Sequence, residues 1–187
     1  MDQDNPFWGL IPDFNSADVT EHEVLEHPAP TNPWTAARRV ALQILYEIDS
    51  VGHPPGEVIE MQLGNHEFGP KVTKYLRKLV QAVVDHRQSL DAIIQRSAPE
   101  WPLQHIAIID RNILRLAVSE FAILTHTPLS VAIDEAVQLA RIYGADGSTR
   151  FVNGVLGTLA DDSEQLRQLL TGKPGPTGDN PTTENKP

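Results

Sequence analysis

Cysteine is absent from all 187 residues. That excludes disulfides, cysteine-based metal sites and a cysteine nucleophile, and it suits a reducing compartment. No apolar run approaches the ~20 residues that a membrane-spanning helix needs. The chain opens Met1-Asp2-Gln3-Asp4, acidic where a secretory signal is basic, so a cytoplasmic protein without a membrane role is expected. Catalytic signatures are missing as well. There is no glycine-rich phosphate loop, no His-Glu-x-x-His and no Gly-x-Ser-x-Gly. The seven histidines are scattered, with no helical pair at metal-ligand spacing. Asp134 and Glu135 are neighbours on a helix, so their side chains diverge by about 100° rather than converge on one atom. The expectation is a chain that is not an enzyme and that takes no metal and no cofactor.

Basic charge is scarce too. The formal net charge is −10, an unpromising sum for a partner of nucleic acid. Its distribution matters more. Residues 1–33 carry seven acids and neither Lys nor Arg, whereas residues 34–171 come to only −3. A local basic patch is therefore compatible with the body of the chain, and a broad basic face is not. Three regions follow: an acidic, proline-bearing arm over 1–33 that reads as disordered, a helical domain over 34–171, and a Gly/Pro/Thr/Asn tail over 172–187 that also reads as disordered. Within the arm, Pro6 to Phe14 is apolar, either a loosely packed tail or a docking peptide.

The body shows helical period throughout and no strand alternation. Ala37, Val40, Ala41, Ile44, Leu45 and Ile48 make one apolar stripe, with Asn32 or Thr31 as cap and Pro33 in the first turn. Glu57–Leu63 reads as a short helix. Val72, Leu76, Leu79, Val80 and Val83 define another, with Lys71, Lys74, Arg77 and Lys78 on its polar side. A break near 86–88 precedes a helix carrying Leu90, Ile93 and Ile94. Residues 103–124 read as one long helix, 131–143 as the next after an N-cap at Ser130, and 149–160 as the last, capped by Ser148 or Asp146 and extending toward Leu170. Trp101, between Pro99 and Pro102, reads as a plug at a junction between bundles. The fold class is all-α, about seven helices without a sheet, in antiparallel bundles.

Four blocks, taken together, resemble the NusB family. They are Trp101-Pro102-Leu103 with Ile109-Asp110-Arg111-Asn112-Ile113-Leu114-Arg115; Val131-Ala132-Ile133-Asp134-Glu135-Ala136-Val137; Gly144, Ser148 and Phe151-Val152-Asn153-Gly154-Val155-Leu156; and, upstream, Ala37-Arg38 with Ala41-Leu42-Gln43-Ile44-Leu45-Tyr46. The likeness spans roughly residues 34–160. It implies two three-helix bundles with one further helix. It implies a transcription antitermination factor that binds boxA-type single-stranded RNA of ribosomal RNA leaders with NusE, a ribosomal protein of the small subunit. The setting is the RNA polymerase antitermination complex, and the outcome is transcription of ribosomal RNA.

The resemblance also assigns residues. Arg38 and Arg39 stand where the family places an arginine cluster on RNA, although Trp34, Thr35 and Ala36 occupy positions where further arginines are common. Thr149, Arg150, Phe151 and Asn153 open a helix whose free N–H groups, cation, ring and amide suit RNA. Tyr46, Asp110 and Arg111 match the partner-binding side. An alternative is a protein-interaction module on the same fold with little RNA affinity, motivated by the thinned arginine cluster. A third, a relict of RNA cytosine methyltransferases that carry this domain, is disfavoured because no such domain follows residue 160.

Overall fold

The computed structural model describes residue 30 and residues 32–172. Nearly all of the 1–33 arm, with the Pro6–Phe14 segment, and nearly all of the 172–187 tail lie outside the described residues, while Pro33 already belongs to the first helix. Eight α-helices and no strand occur among those described. They are α1 (Pro33–Val51), α2 (Pro55–Gly64), α3 (Pro70–Asp85), α4 (Arg87–Ser97), α5 (Ile108–Val118), α6 (Leu129–Tyr143), α7 (Ser148–Asp161) and α8 (Ser163–Thr171).

Helix α1 begins as its sequence dictates. The Asn32 side chain accepts from the Trp34 N–H at 2.9 Å, Pro33 occupies the first turn, and Gly52 closes the helix at φ +80°. Its stripe of Ala37, Val40, Ala41, Ile44 and Leu45 is buried. Helices α1, α2 and α3 pack on one another, and so do α5, α6 and α7. The α1–α5 contact joins the two groups, α4 lies against α5 and α7, and one hydrophobic core runs through both. This is the two-bundle, all-α architecture expected from sequence, with α8 as a helix separate from α7.

Three local expectations need correction. Residues 103–124 are not one helix. Leu103–His105 is a single 3-10 turn whose Leu103 N–H donates to Gln95 Oε1 at 2.7 Å, and Ile106 then takes extended backbone before α5 starts. The apolar spacing of Ile106, Ile109 and Ile113 runs through this break without registering it. At the other end, Ser119–Leu124 is a π turn, where Thr125 N–H bonds the Glu120 carbonyl at 3.1 Å. Ser119, Glu120, Phe121 and Ala122 are all buried, continuing the buried run Asn112–Val118 of α5.

The caps of α6 and α7 also differ. Pro128, not Ser130, precedes α6, and Gly147 at φ +93° precedes α7 with no side-chain cap. Ser148 is instead occupied elsewhere. Finally, Trp101 is 56 % exposed, so it does not plug a junction. Its ring packs against that of Phe151, with centroids 5.9 Å apart and the planes at 62°.

Candidate functional site

The site residues named from sequence fall into three environments. The first is interior. Arg38 is 6 % exposed. Its guanidinium donates to both oxygens of Glu120 through Nε, at 3.2 and 3.0 Å, and through Nη2, while Nη1 lies 3.3 Å from Glu135. Tyr75 and Thr127 also donate to Glu120, at 2.8 and 2.5 Å, and Thr35 donates to Glu135 at 2.8 Å. Burial works against the charge on Arg38, but the hydrogen bond and field of Glu120 overcome it and the pKa is raised. Burial and the Glu120 charge push the Tyr75 phenol up as well, so Tyr75 stays a donor. Arg38 is thus an internal brace between α1, α3 and the π turn. The reading of Arg38 as a phosphate contact is corrected on that ground: its donors are spent on carboxylates inside the fold. Arg39, one residue on, is half-buried and borders an open hollow with Asn32, Thr35, Asp134 and Gln138.

The second environment is the start of α7. Gly144 ends α6 at a point where a Cβ would stand 2.4 Å from Ser148 Cβ and 2.6 Å from the Ala140 carbonyl, so only glycine lets the chain turn this tightly. The turn delivers the Ser148 hydroxyl to Asp110 Oδ2 at 2.8 Å. Asp110 is 7 % exposed and its Oδ1 has no hydrogen-bond partner. The acid expected to face a partner therefore points into a cleft of about 500 Å³, bordered by Trp101, His105, Ile106, Arg150 and Phe151. Arg150 and Asn153 are exposed, and Thr149 and Phe151 are half-buried. The structure brings Arg150 and Phe151 together with Trp101, which sequence reasoning had assigned to packing. Its position between two prolines in a polar stretch was the available signal.

Burial raises the Asp110 carboxyl pKa, opposed by the hydrogen bond from Ser148. A carboxyl with a higher pKa in the folded chain than in the unfolded one holds its proton more tightly when native. Its ionisation then costs stability at every pH above the folded value, and the cost vanishes below the unfolded value. The Asp110→Asn variant is accordingly expected to be more stable than the parent at neutral pH. That advantage shrinks as pH falls through the carboxylate range. Urea denaturation across pH checks this; a difference independent of pH would contradict it.

The third environment is the α1–α5 side. Tyr46 is 47 % exposed rather than core, and shares an open hollow with Leu42, Gln43, Ile109 and Tyr143. Ala107 borders both this hollow and the Asp110 cleft, so the two are adjacent. Arg111 turns away from the surface. Its Nη1 donates to the Leu103 carbonyl at 3.3 Å and its Nη2 lies 3.6 Å from Asp49. Asp49 also pairs with Arg115 at 2.6 Å and Arg87 at 2.9 Å. Arg111 belongs with this internal network more than with a partner-facing surface.

No group of three or more His, Asp or Glu residues stands ready to hold a metal among the described residues, and no described helix is long and apolar enough to cross a membrane. Two mutually packed three-helix bundles, with exposed rings and cations bordering open hollows, define an all-α helical domain with candidate binding surfaces.

The comparisons give that class its family. The NusB family model matches residues 35–161, and the chain belongs to the NusB family. Transcription antitermination protein NusB of Roseiflexus castenholzii is 45 % identical over 124 residues, covering 65 % of this chain and 87 % of that protein. The Bacillus subtilis protein of the same name is 40 % identical over 129 residues, covering 69 % and 95 %. Among solved structures, T. maritima NusB superposes with a TM-score of 0.65 at 26 % identity, covering 70 % of this chain and 92 % of that one. A chain from a crystal structure of the antitermination factors NusB and NusE with dsRNA superposes with a TM-score of 0.64 at 27 % identity, covering 71 % and 99 %.

Proposed function

We propose that the chain is an antitermination factor that binds a boxA-type single-stranded segment of ribosomal RNA leaders together with NusE. It acts within the RNA polymerase antitermination complex to promote ribosomal RNA transcription. The relatives' shared name supports antitermination, and the NusB–NusE structure with dsRNA supports both kinds of partner. The observation that carries the preference for a single strand is the exposed ring of Trp101 against Phe151, beside Arg150 at the uncapped start of α7. Aromatic faces accept unstacked bases, which a duplex does not offer, and a helix N-terminus with a cation suits the phosphate beside them. Thr149 and Asn153 flank this position. The NusE surface is assigned to the exposed Tyr46 hollow, with Asp110 reached through the adjoining cleft.

A second reading, a protein-interaction module with little RNA affinity, draws on the internal position of Arg38, which leaves Arg39 alone of the two α1 arginines near the surface. One experiment separates them. A boxA-type RNA is titrated against the chain, NusE and their mixture at two salt concentrations. The proposal expects the mixture to bind tightest; tight protein pairing without any gain in RNA affinity leaves the second reading alone.

A further inference from the structure

Helix α3 carries a strip of cations that the resemblance assigns no role. Lys71, Lys74 and Lys78 are all exposed, and none makes an ion pair or hydrogen bond with a described residue. Arg77, on the same helix, differs: it is held in a bidentate pair by Glu60 of α2. The lysines are spaced i, i+3 and i+7, so they line one side of α3, about one turn apart. Tyr75 falls at i+4 from Lys71 and i−3 from Lys78, within the same strip. Against the Tyr75 ring packs Trp34, edge-on at 5.2 Å, from the first turn of α1. Trp34 remains 38 % exposed. An accessible indole therefore packs on the helix that carries three ammonium groups without a partner among the described residues.

We infer that this strip is a phosphate track for single-stranded RNA, with Trp34 stacking a base at its edge. The inference rests on the RNA-binding reading above and extends it to a second face. It makes RNA affinity independent of Arg38, whose donors are committed inside the fold. Each lysine displaces condensed counterions from the strand, whereas Arg77, already neutralised by Glu60, contributes little. Stacking on Trp34 tolerates any base, so the track adds affinity rather than sequence preference.

The test uses the full chain with its NusE partner and a single-stranded boxA-type oligoribonucleotide over a series of salt concentrations. For the triple variant Lys71→Gln, Lys74→Gln, Lys78→Gln, the slope of log K against log salt is expected to become shallower by about 2, at roughly 0.7 per single-strand phosphate contact. Trp34→Leu is expected to lower affinity about tenfold with the slope unchanged, which separates stacking from charge. Circular dichroism confirms that both variants keep their helices. A parent slope that the triple variant leaves unaltered overturns the track while the RNA-binding reading stands. The same holds if the triple variant loses NusE affinity instead, which assigns the strip to the protein partner. Failure of the parent complex to bind RNA at low salt sinks the reading itself.

Discussion

Replacing Glu120 with alanine is expected to cost about 3–5 kcal/mol of folding stability, the range for stranding one member of a buried ion pair. The size follows from what Glu120 satisfies. It accepts from Arg38, Tyr75 and Thr127, and it is 2 % exposed. Without it the Arg38 guanidinium keeps only Glu135, and two hydroxyl donors lose their acceptor. Urea denaturation is the measurement, and the midpoint should fall by on the order of 2 M. The double variant Arg38→Met, Glu120→Leu is expected to recover a large part of the loss, since apolar pairs often replace buried ions without penalty. A loss below about 1 kcal/mol in the single variant, the level of an exposed pair, would show that the network is solvated. The consequence for function is direct: any fall in RNA affinity on changing Arg38 is to be attributed to the fold before it is attributed to a lost phosphate contact.

Arg115→Leu is the second large effect, at about 3 kcal/mol. Arg115 is the largest fully buried side chain among the described residues. Its Nε and Nη2 hold Asp91 of α4 at 2.7 and 2.8 Å, and its Nη1 holds Asp49 of α1 at 2.6 Å and Asn112 at 3.0 Å. Asp49 retains Arg87 and Arg111 in the variant, which places the loss at the lower end of the range. Because the network ties α1 and α4 to α5, the two bundles are expected to lose cooperativity along with stability. A calorimetric transition that broadens or splits would show this; an unchanged single transition would mean that the apolar α1–α5 contact alone joins them.

The apolar periodicity made α1, α3 and α4 legible because their buried faces recur at 3.6 residues. It failed where backbone geometry changes without disturbing that recurrence. Ile106 to Ile113 keeps helical spacing across a break closed by Gln95, a residue eight positions before the N–H it binds. The π turn hides in the same way, as a run of buried residues. Caps failed for a related reason: Ser148 is a good cap by type, but its hydroxyl is drawn to Asp110, 38 positions away in sequence. Site residues were legible by type and not by direction. Arg38 and Arg111 read as surface cations because each is an arginine beside a polar neighbour, and only the fold shows their carboxylate partners on other helices. Arg150 and Asn153, at a helix start, stay exposed as a local reading predicts, and Trp101 joined them only once the fold set its ring against Phe151.

The proposed joint hold of this chain and NusE on a single strand of boxA-type RNA is tested most directly by the affinity of that RNA for an equimolar mixture of the two proteins, against each alone and against a duplex of the same sequence. A ternary complex bound at least about tenfold more tightly than either binary one is expected, with the single strand preferred, since each stacked base is worth about 1–3 kcal/mol that a duplex does not offer. Binding of the mixture no tighter than that of the better single protein, or equal binding of strand and duplex, would contradict it.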